Sequence, residues 1–226
     1  MGSVVAVLNM KGGTGKSTVA TNLARGLQKA TAGEGGVCIL DADPQGTALR
    51  WAKAGPDEPV GSTGNGGDMP PVRAVSLPLG EEIPAAAEGY KFAVVDGAAK
   101  AKDRTRQTVE IADAVLIPIR PSGADLWASE WLVQLVKARR KQTGAPAAAF
   151  VVCQQIVGTN LAGEIEGVLD RYGLPVLGGR LSQRVAFAEA LSLGKSVLDT
   201  KPSGKAAAEV RQLTTDTLEL LDKADT

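Results

Sequence analysis

Apolar residues along this chain alternate between two rhythms. Short, nearly continuous runs occur at Val4–Leu8, Val37–Leu40, Val72–Ser76, Phe92–Val95, Ala114–Ile119, Ala148–Val152 and Pro175–Leu177. Runs of that length, apolar on both pleat faces, suit strands buried from both sides, as in a parallel sheet. Between them, Ser17–Ala30, Asp103–Ile111, Asp125–Thr143, Ala162–Tyr172, Arg184–Leu193 and Lys205–Leu221 carry apolar residues at helical spacing. The alternation predicts an α/β fold: a doubly wound, mostly parallel sheet flanked by helices. Residues 55–71 hold five Gly and four Pro and propagate neither element, so they read as a loop inserted within one fold. The 226 residues are therefore expected to form a single domain, 1–226.

The first predicted strand runs into Asn9-Met10-Lys11-Gly12-Gly13-Thr14-Gly15-Lys16-Ser17-Thr18, which opens the first predicted helix. A glycine-rich turn between strand and helix lets successive backbone N–H groups converge on phosphate oxygens, and the helix N-terminus adds its positive dipole end. In such a loop Lys16 reaches the β- and γ-phosphates and the Ser17 hydroxyl ligates Mg²⁺. The usual pattern has Gly where Met10 stands, and Lys11 instead precedes the paired glycines. This run resembles the deviant Walker A motif of the ParA/MinD family of ATPases. The resemblance implies that Lys11 contacts phosphates of the neighbouring protomer in an ATP-bound homodimer. Lys11, Gly12, Gly13, Thr14, Gly15, Lys16, Ser17 and Thr18 are then the phosphate-binding set.

The second strand leads into Asp41-Ala42-Asp43-Pro44-Gln45-Gly46. Were the strand to continue to Asp43, period-two geometry would put both acids on one face at its C-terminal edge, where ligands bind in such sheets. The stretch is similar to the family's switch I. This implies that Asp41 belongs to the Mg²⁺ network and that Asp43 positions the attacking water, making Lys11, Lys16 and Asp43 the catalytic set. Phe92–Val95 ends in Asp96-Gly97, the Walker B form, in which Asp96 holds Mg²⁺ through a water and Gly97 frees switch II to respond to the γ-phosphate. Ile117–Ser122 resembles a proline-containing stretch of ParF-like partition ATPases, which places Pro121 near the base and dimer interface. Gln154, just past a strand, reads either as an adenine contact or as a solvated loop residue.

Lys+Arg and Asp+Glu balance at 25 each, so any polyanion surface must be local. Residues 171–205 contain Arg171, Arg180, Arg184, Lys195, Lys201 and Lys205 against Glu189 and Asp199. With the family's non-specific DNA binding, this makes Arg180, Arg184, Lys195, Lys201 and Lys205 candidate phosphate contacts, with a solvated charged face as the alternative. Lys137–Lys141 is a second basic candidate, though basic residues at a helix end also complement its dipole. Trp127 and Trp131 share a helix face that serves either packing or a partner.

Without histidine, His-based metal sites and Ser-His-Asp triads are excluded. Cys38 and Cys153 read as buried and reduced, which fits a cytoplasmic protein, and neither lies near switch II to hold an iron–sulfur cluster. No signal peptide or membrane span is expected, and Asp216–Thr226, with four acids and one lysine, disfavours a MinD-like membrane helix. The resemblance thus implies a small ParF-like partition or McdA-like positioning ATPase. It would use ATP and Mg²⁺, associate with the nucleoid through non-specific DNA binding, and move a plasmid, chromosome or protein body such as a carboxysome. An adaptor of the ParB, ParG or McdB type would stimulate it. An ATP-dependent metabolic ligase on the same fold is the rival reading.

Overall fold

Along the first strand, side chains alternate strictly: Val5 and Val7 enter one buried cluster, while Val4, Ala6 and Leu8 enter another. This two-sided burial is what a central parallel strand requires. The computed structural model describes residues 2–32, 34–55, 69–156 and 167–223. In chain order its elements are β1 (Ser3–Val7), α1 (Lys16–Ala30), β2 (Val37–Asp41), α2 (Thr47–Ala54), β3 (Val72–Ala74), α3 (Leu79–Ala87), β4 (Phe92–Asp96), α4 (Lys102–Ile111), β5 (Ala114–Ile119), α5 (Gly123–Thr143), β6 (Ala147–Gln155), a 3₁₀ turn (Asp170–Tyr172), β7 (Leu181–Ser182), α6 (Val185–Ser192), α7 (Val197–Thr200) and α8 (Lys205–Asp222).

Among the described residues the strands form one seven-stranded sheet in the order β3-β2-β4-β1-β5-β6-β7, and every pairing is parallel. Helices α1, α2, α6, α7 and α8 bury apolar residues in the first cluster, and α3, α4 and α5 in the second. The expected doubly wound architecture is therefore present. Its outer helix α8 lies so close to α1 that a Cβ on Gly26 would collide with Thr214. The buried hydroxyls of Thr214 and Thr217 are satisfied by the carbonyls of Val210 and Leu213 on their own helix.

Departures from the sequence expectations have local causes. Pro175–Leu177 makes a single bridge from Val176 to Phe150, and the seventh strand forms instead at Leu181–Ser182. Gly179 intervenes, and a Cβ there would strike the Leu213 backbone, so the chain passes under α8 before it can pair again. The unforeseen α3 carries Pro84 inside it, a residue that argues against a helix until Leu79, Ile83 and Ala87 are seen to be buried together. Of the expected helix Ala162–Tyr172, residues 162–166 lie outside the described residues, and Asp170–Tyr172 is 3₁₀. Within the Gly/Pro-rich loop 55–71, residues 56–68 lie outside them as well.

Candidate functional site

Strand register assembles the site. Asp96, the last residue of β4, pairs with Val7 of β1 on one side and with Asp41 of β2 on the other. Both carboxylates thus stand at the C-terminal edge beside the loop that leaves β1. That loop is pinned to the neighbouring strand by Asn9, whose buried amide donates to Pro118 O at 2.7 Å while its Oδ1 accepts the Lys11 N–H at 2.9 Å. Met10 stands where the usual pattern has glycine. Its carbonyl receives the Lys100 N–H at 3.0 Å, and its sulfur lies 3.7 Å from the Thr105 hydroxyl, tying the loop after β4 to the phosphate loop.

Gly13 and Gly15 adopt φ of +74° and +99°, which L side chains rarely reach. Gly15 also rests on Cys153, and a Cβ on Gly12 or Gly13 would meet nothing within 4 Å, so the loop faces open space. Lys16 begins α1 and is 7% exposed, with Nζ donating to Lys11 O at 3.2 Å. Thr14 is fully buried and its hydroxyl lies 3.4 Å from Lys11 O, while Ser17 and Thr18 sit half-buried on the first turn of α1. Gln154 has a left-handed backbone (φ +55°), and its amide donates to Gly13 O at 2.9 Å. The side chain read as a possible base contact therefore buttresses the phosphate loop.

Strand β2 stops at Asp41, so the pleat does not align the two acids as expected. An Asx turn links them instead: Asp41 Oδ1 accepts the Asp43 N–H at 3.1 Å, and Asp43 Oδ1 accepts the Gln45 N–H at 2.9 Å. Asp41 Oδ2 also accepts the Leu49 N–H at 3.0 Å, anchoring α2 to the strand end. Gly97 also meets a steric demand. A Cβ there would collide with the Leu8 side chain and Val7 carbonyl, so glycine is required for close approach. Arg104 of α4, missed in the sequence, reaches Ala42 O at 3.3 Å and bridges the segments after β2 and β4.

The charges at the site are poorly compensated. Asp96 is fully buried, and among the described residues neither carboxylate oxygen makes a well-formed hydrogen bond, the Ser17 hydroxyl being only a nearby donor. Burial pushes its pKa up to about 7, against the lowering pull of the Ser17 hydroxyl and the Lys16 ammonium. Burial likewise lowers the Lys16 pKa, partly opposed by Asp96 and Asp43. A cation near Asp96 and an anion near Lys16 would each relieve a desolvated charge. The donor set fits Mg²⁺: among the described residues no cluster of three or more His, Cys, Asp or Glu could hold a metal alone. Mg²⁺ characteristically takes one or two protein oxygens plus substrate phosphates and water. Ser17 and Asp96 are the residues placed to offer such oxygens, and Asp41 pairs with Asp96 across the sheet.

A residue that sequence reasoning passed over completes the site. Lys11 Nζ lies 2.9 Å from Oδ1 of Asp125, a fully buried carboxylate on the first turn of α5. Asp125 also accepts from Arg120 Nε at 3.1 Å and from the Ser122 hydroxyl at 2.6 Å. Burial works to raise its pKa, but Ser122, Lys11 and Arg120 outweigh this and hold it below the ordinary carboxylate value. Pro121 lies within this Arg120–Asp125 turn, at the end of β5. The available signal was Ser122-x-x-Asp125, a capping-box pattern before an apolar run, and Ser122 does cap the Asp125 N–H at 3.3 Å.

The basic candidates at 171–205 are less free than their sequence suggests. Arg184 is held by Glu209 at 2.7 Å, and Lys201 by Glu189 at 2.7 Å. Arg180 is half-buried beside β7 and makes a polar interaction of its own. Lys195 and Lys205 are exposed, and among the described residues no ion pair joins either. Trp51 donates its indole N–H to the Lys195 carbonyl at 3.1 Å, fixing that loop against α2. Trp127 is 75% exposed, whereas Trp131 is half-buried against the second cluster with the Lys102 ammonium 5.4 Å from its ring centroid. No described helix is long and apolar enough to cross a membrane.

Comparison with known proteins agrees with this geometry. Residues 5–197 match the model of the CobQ/CobB/MinD/ParA nucleotide binding domain. The chain is 30% identical over 211 residues to maintenance of carboxysome distribution protein A of Halothiobacillus neapolitanus, covering 92% of this chain and 93% of that one. Apo McdA of Cyanothece superposes with a TM-score of 0.73 at 15% identity, over 96% of this chain and 100% of the other. MinD of Pyrococcus horikoshii complexed with Mg-ADP superposes with a TM-score of 0.72 at 18% identity, over 99% of each.

Proposed function

This chain belongs to the CobQ/CobB/MinD/ParA nucleotide-binding family, and on that premise we propose that it is an Mg²⁺-dependent ATPase that dimerises on ATP and positions a cargo on DNA. The observation that carries the chemistry is the orphaned Asp96 carboxylate beside Ser17 and Lys16, below an open glycine cradle. Backbone N–H groups of residues 12–17 would hold the phosphates, Lys16 would neutralise the β- and γ-oxygens, and Ser17 and Asp96 would hold Mg²⁺. Bound there, the metal would supply charge neutralisation to the phosphates. Asp43, half-buried on the turn beyond Asp41, is assigned to orienting water in line with the γ-phosphate, and Lys11 to the phosphates of a second protomer.

The cargo assignment is supported by the carboxysome-distribution protein, which aligns along nearly the full length. A partner adaptor would stimulate hydrolysis, and release of the ATP dimer from DNA would follow. Lys195 and Lys205 are the leading phosphate contacts for that DNA, since Arg184 and Lys201 already have acidic partners.

The test is Asp43→Ala. It should bind Mg·ATP, lose hydrolysis and accumulate as a DNA-bound dimer, because phosphoryl transfer depends on water alignment more than binding does. Equilibrium nucleotide binding, phosphate release and sedimentation with an unrelated duplex read the three effects. Wild-type phosphate release from this variant would overturn the switch I assignment.

A further inference from the structure

We propose that Asp125 is a positioning residue that parks Lys11 within its own protomer until ATP arrives. This rests on the reading of Lys11 as the lysine that acts across the dimer. Within a single protomer its ammonium does not point into solvent to await a partner: it is 2.9 Å from a carboxylate with no solvent exposure.

Two features make this contact releasable. The first is that Asp125 does not depend on Lys11 for its charge balance. Arg120 Nε approaches Oδ2 at 3.1 Å and an Arg120 terminal nitrogen approaches Oδ1 at 3.3 Å, while Ser122 donates to Oδ2 at 2.6 Å. Removing one partner from a buried ion pair is ordinarily costly because it strands the other charge. Here both remaining partners lie within five residues of Asp125 on the same turn, so Lys11 can leave without stranding it. The Lys11 side chain is 31% exposed and has a path outward.

The second feature couples the contact to nucleotide. Lys16 Nζ is held by the carbonyl of Lys11 at 3.2 Å. A phosphate drawing Lys16 to itself takes away that bond and alters the turn that carries Lys11. Asn9 keeps the turn in place meanwhile by joining the Lys11 N–H to the Pro118 carbonyl on β5, the strand that leads to Asp125. Because β1 and β5 are neighbours in the sheet, phosphate loop and latch are held side by side.

The contact therefore opposes dimerisation, since the energy of the Lys11–Asp125 pair must be given up before Lys11 can serve a second protomer. Asp125→Asn keeps the shape and removes the charge, and should tighten ATP-dependent dimerisation about two- to fivefold, the range of a partly exposed ion pair. Arg120→Ala should act in the opposite direction, because Asp125 then leans harder on Lys11. Sedimentation equilibrium with a non-hydrolysable ATP analogue measures both. The second readout is the rate at which Lys11 is acylated by an acetyl N-hydroxysuccinimide ester in nucleotide-free protein, followed by mass spectrometry. It should rise several-fold in Asp125→Asn and fall in Arg120→Ala.

A merely structural Asp125 would weaken dimerisation in both variants and leave Lys11 acylation unordered. Should Asp125→Asn not fold, the slowed acylation and weakened dimerisation of Arg120→Ala carry the test alone. Folded variants with wild-type acylation rates overturn the latch while leaving the dimer reading intact. Lys11→Ala retaining wild-type ATP-dependent dimerisation would overturn the reading of Lys11, and the latch with it.

Discussion

Two charged regions of this molecule look alike in sequence and differ in structure. At the phosphate loop, Lys16 and Asp96 are buried with their charges only partly compensated, and burial shifts the pKa of each toward its neutral form. At 171–205, Arg184 and Lys201 carry their own acidic partners. Desolvated charge without a partner is expensive and persists where a ligand supplies the partner, whereas paired charge is compatible with a purely architectural role. The contrast separates the proposed Mg²⁺ and phosphate site from a surface whose cations are in part already paired.

The harshest way to break the contrast is Lys16→Ala. If Lys16 is held for phosphate, its loss should weaken ATP binding by about a hundredfold or more, as expected when one partner of a buried charge pair is truncated. Titration with a fluorescent ATP analogue measures this, and near-normal affinity would make Lys16 a structural residue.

Asp96→Asn sharpens the contrast with the opposite sign. An amide in place of the orphaned carboxylate should stabilise the nucleotide-free protein by about 1–3 kcal/mol at pH 8 and abolish the extra stability conferred by Mg·ATP. The pH dependence follows from the raised pKa. Between the ordinary carboxylate value near 4 and about 7, the folded state binds more protons at Asp96 than the unfolded state does, so this group's contribution to stability falls as pH rises through that window. Asp199 runs the other way. Burial would raise its pKa, but Arg25 and Lys29 outweigh that and lower it. Its contribution is present above the ordinary carboxylate value and disappears as pH falls through the depressed one. Thermal unfolding of Asp96→Asn and Asp199→Asn across pH 3–8 should therefore show wild type losing its advantage over Asp199→Asn at low pH. The deficit of wild type against Asp96→Asn should develop toward neutral pH. Parallel curves would mean that the two environments are not distinct.

Much of the site was legible because its chemistry is local. Gly13 and Gly15 are called for by positive φ, and Asp96 by its place at a strand end, both of which follow from residues adjacent in sequence. What stayed hidden depends on partners far along the chain. Asp125 meets Lys11 across 114 positions, Gln154 meets Gly13 across 141, and Glu209 meets Arg184 across 25, outside the basic segment that drew notice. The fold followed the same rule. Strongly apolar strands were evident from their runs, while α3 was masked by Pro84 and the two-residue β7 by its brevity, since each exists through tertiary burial.

A milder perturbation tests the architectural half. Glu209→Ala removes the acceptor for Arg184 and for the Ser182 N–H, which join β7 and the start of α6 to α8. It should cost about 1–2 kcal/mol in urea unfolding without altering nucleotide affinity. A change confined to DNA binding would instead make the Arg184–Glu209 pair part of the interface.

The smallest effect is the most discriminating for DNA. Lys195 and Lys205 are exposed and carry no ion pair among the described residues, and Lys205 begins α8, where the helix dipole favours an anion over a cation. A lysine placed against the dipole gains from a phosphate that approaches the same helix end. Replacing both with Ala should leave the unfolding midpoint nearly unchanged, because neither side chain is buried. If each contacts one phosphate in the ATP-bound state, each replacement should flatten the slope of log affinity against log salt by about 0.9. The loss should be equal on two unrelated duplexes, since phosphate contacts carry no sequence information. Arg184→Ala, measured beside them, should lower stability and leave that slope in place. The reverse pattern, a flattened slope for Arg184→Ala and none for the lysines, would return the DNA surface to the paired residues and remove the distinction between the two regions.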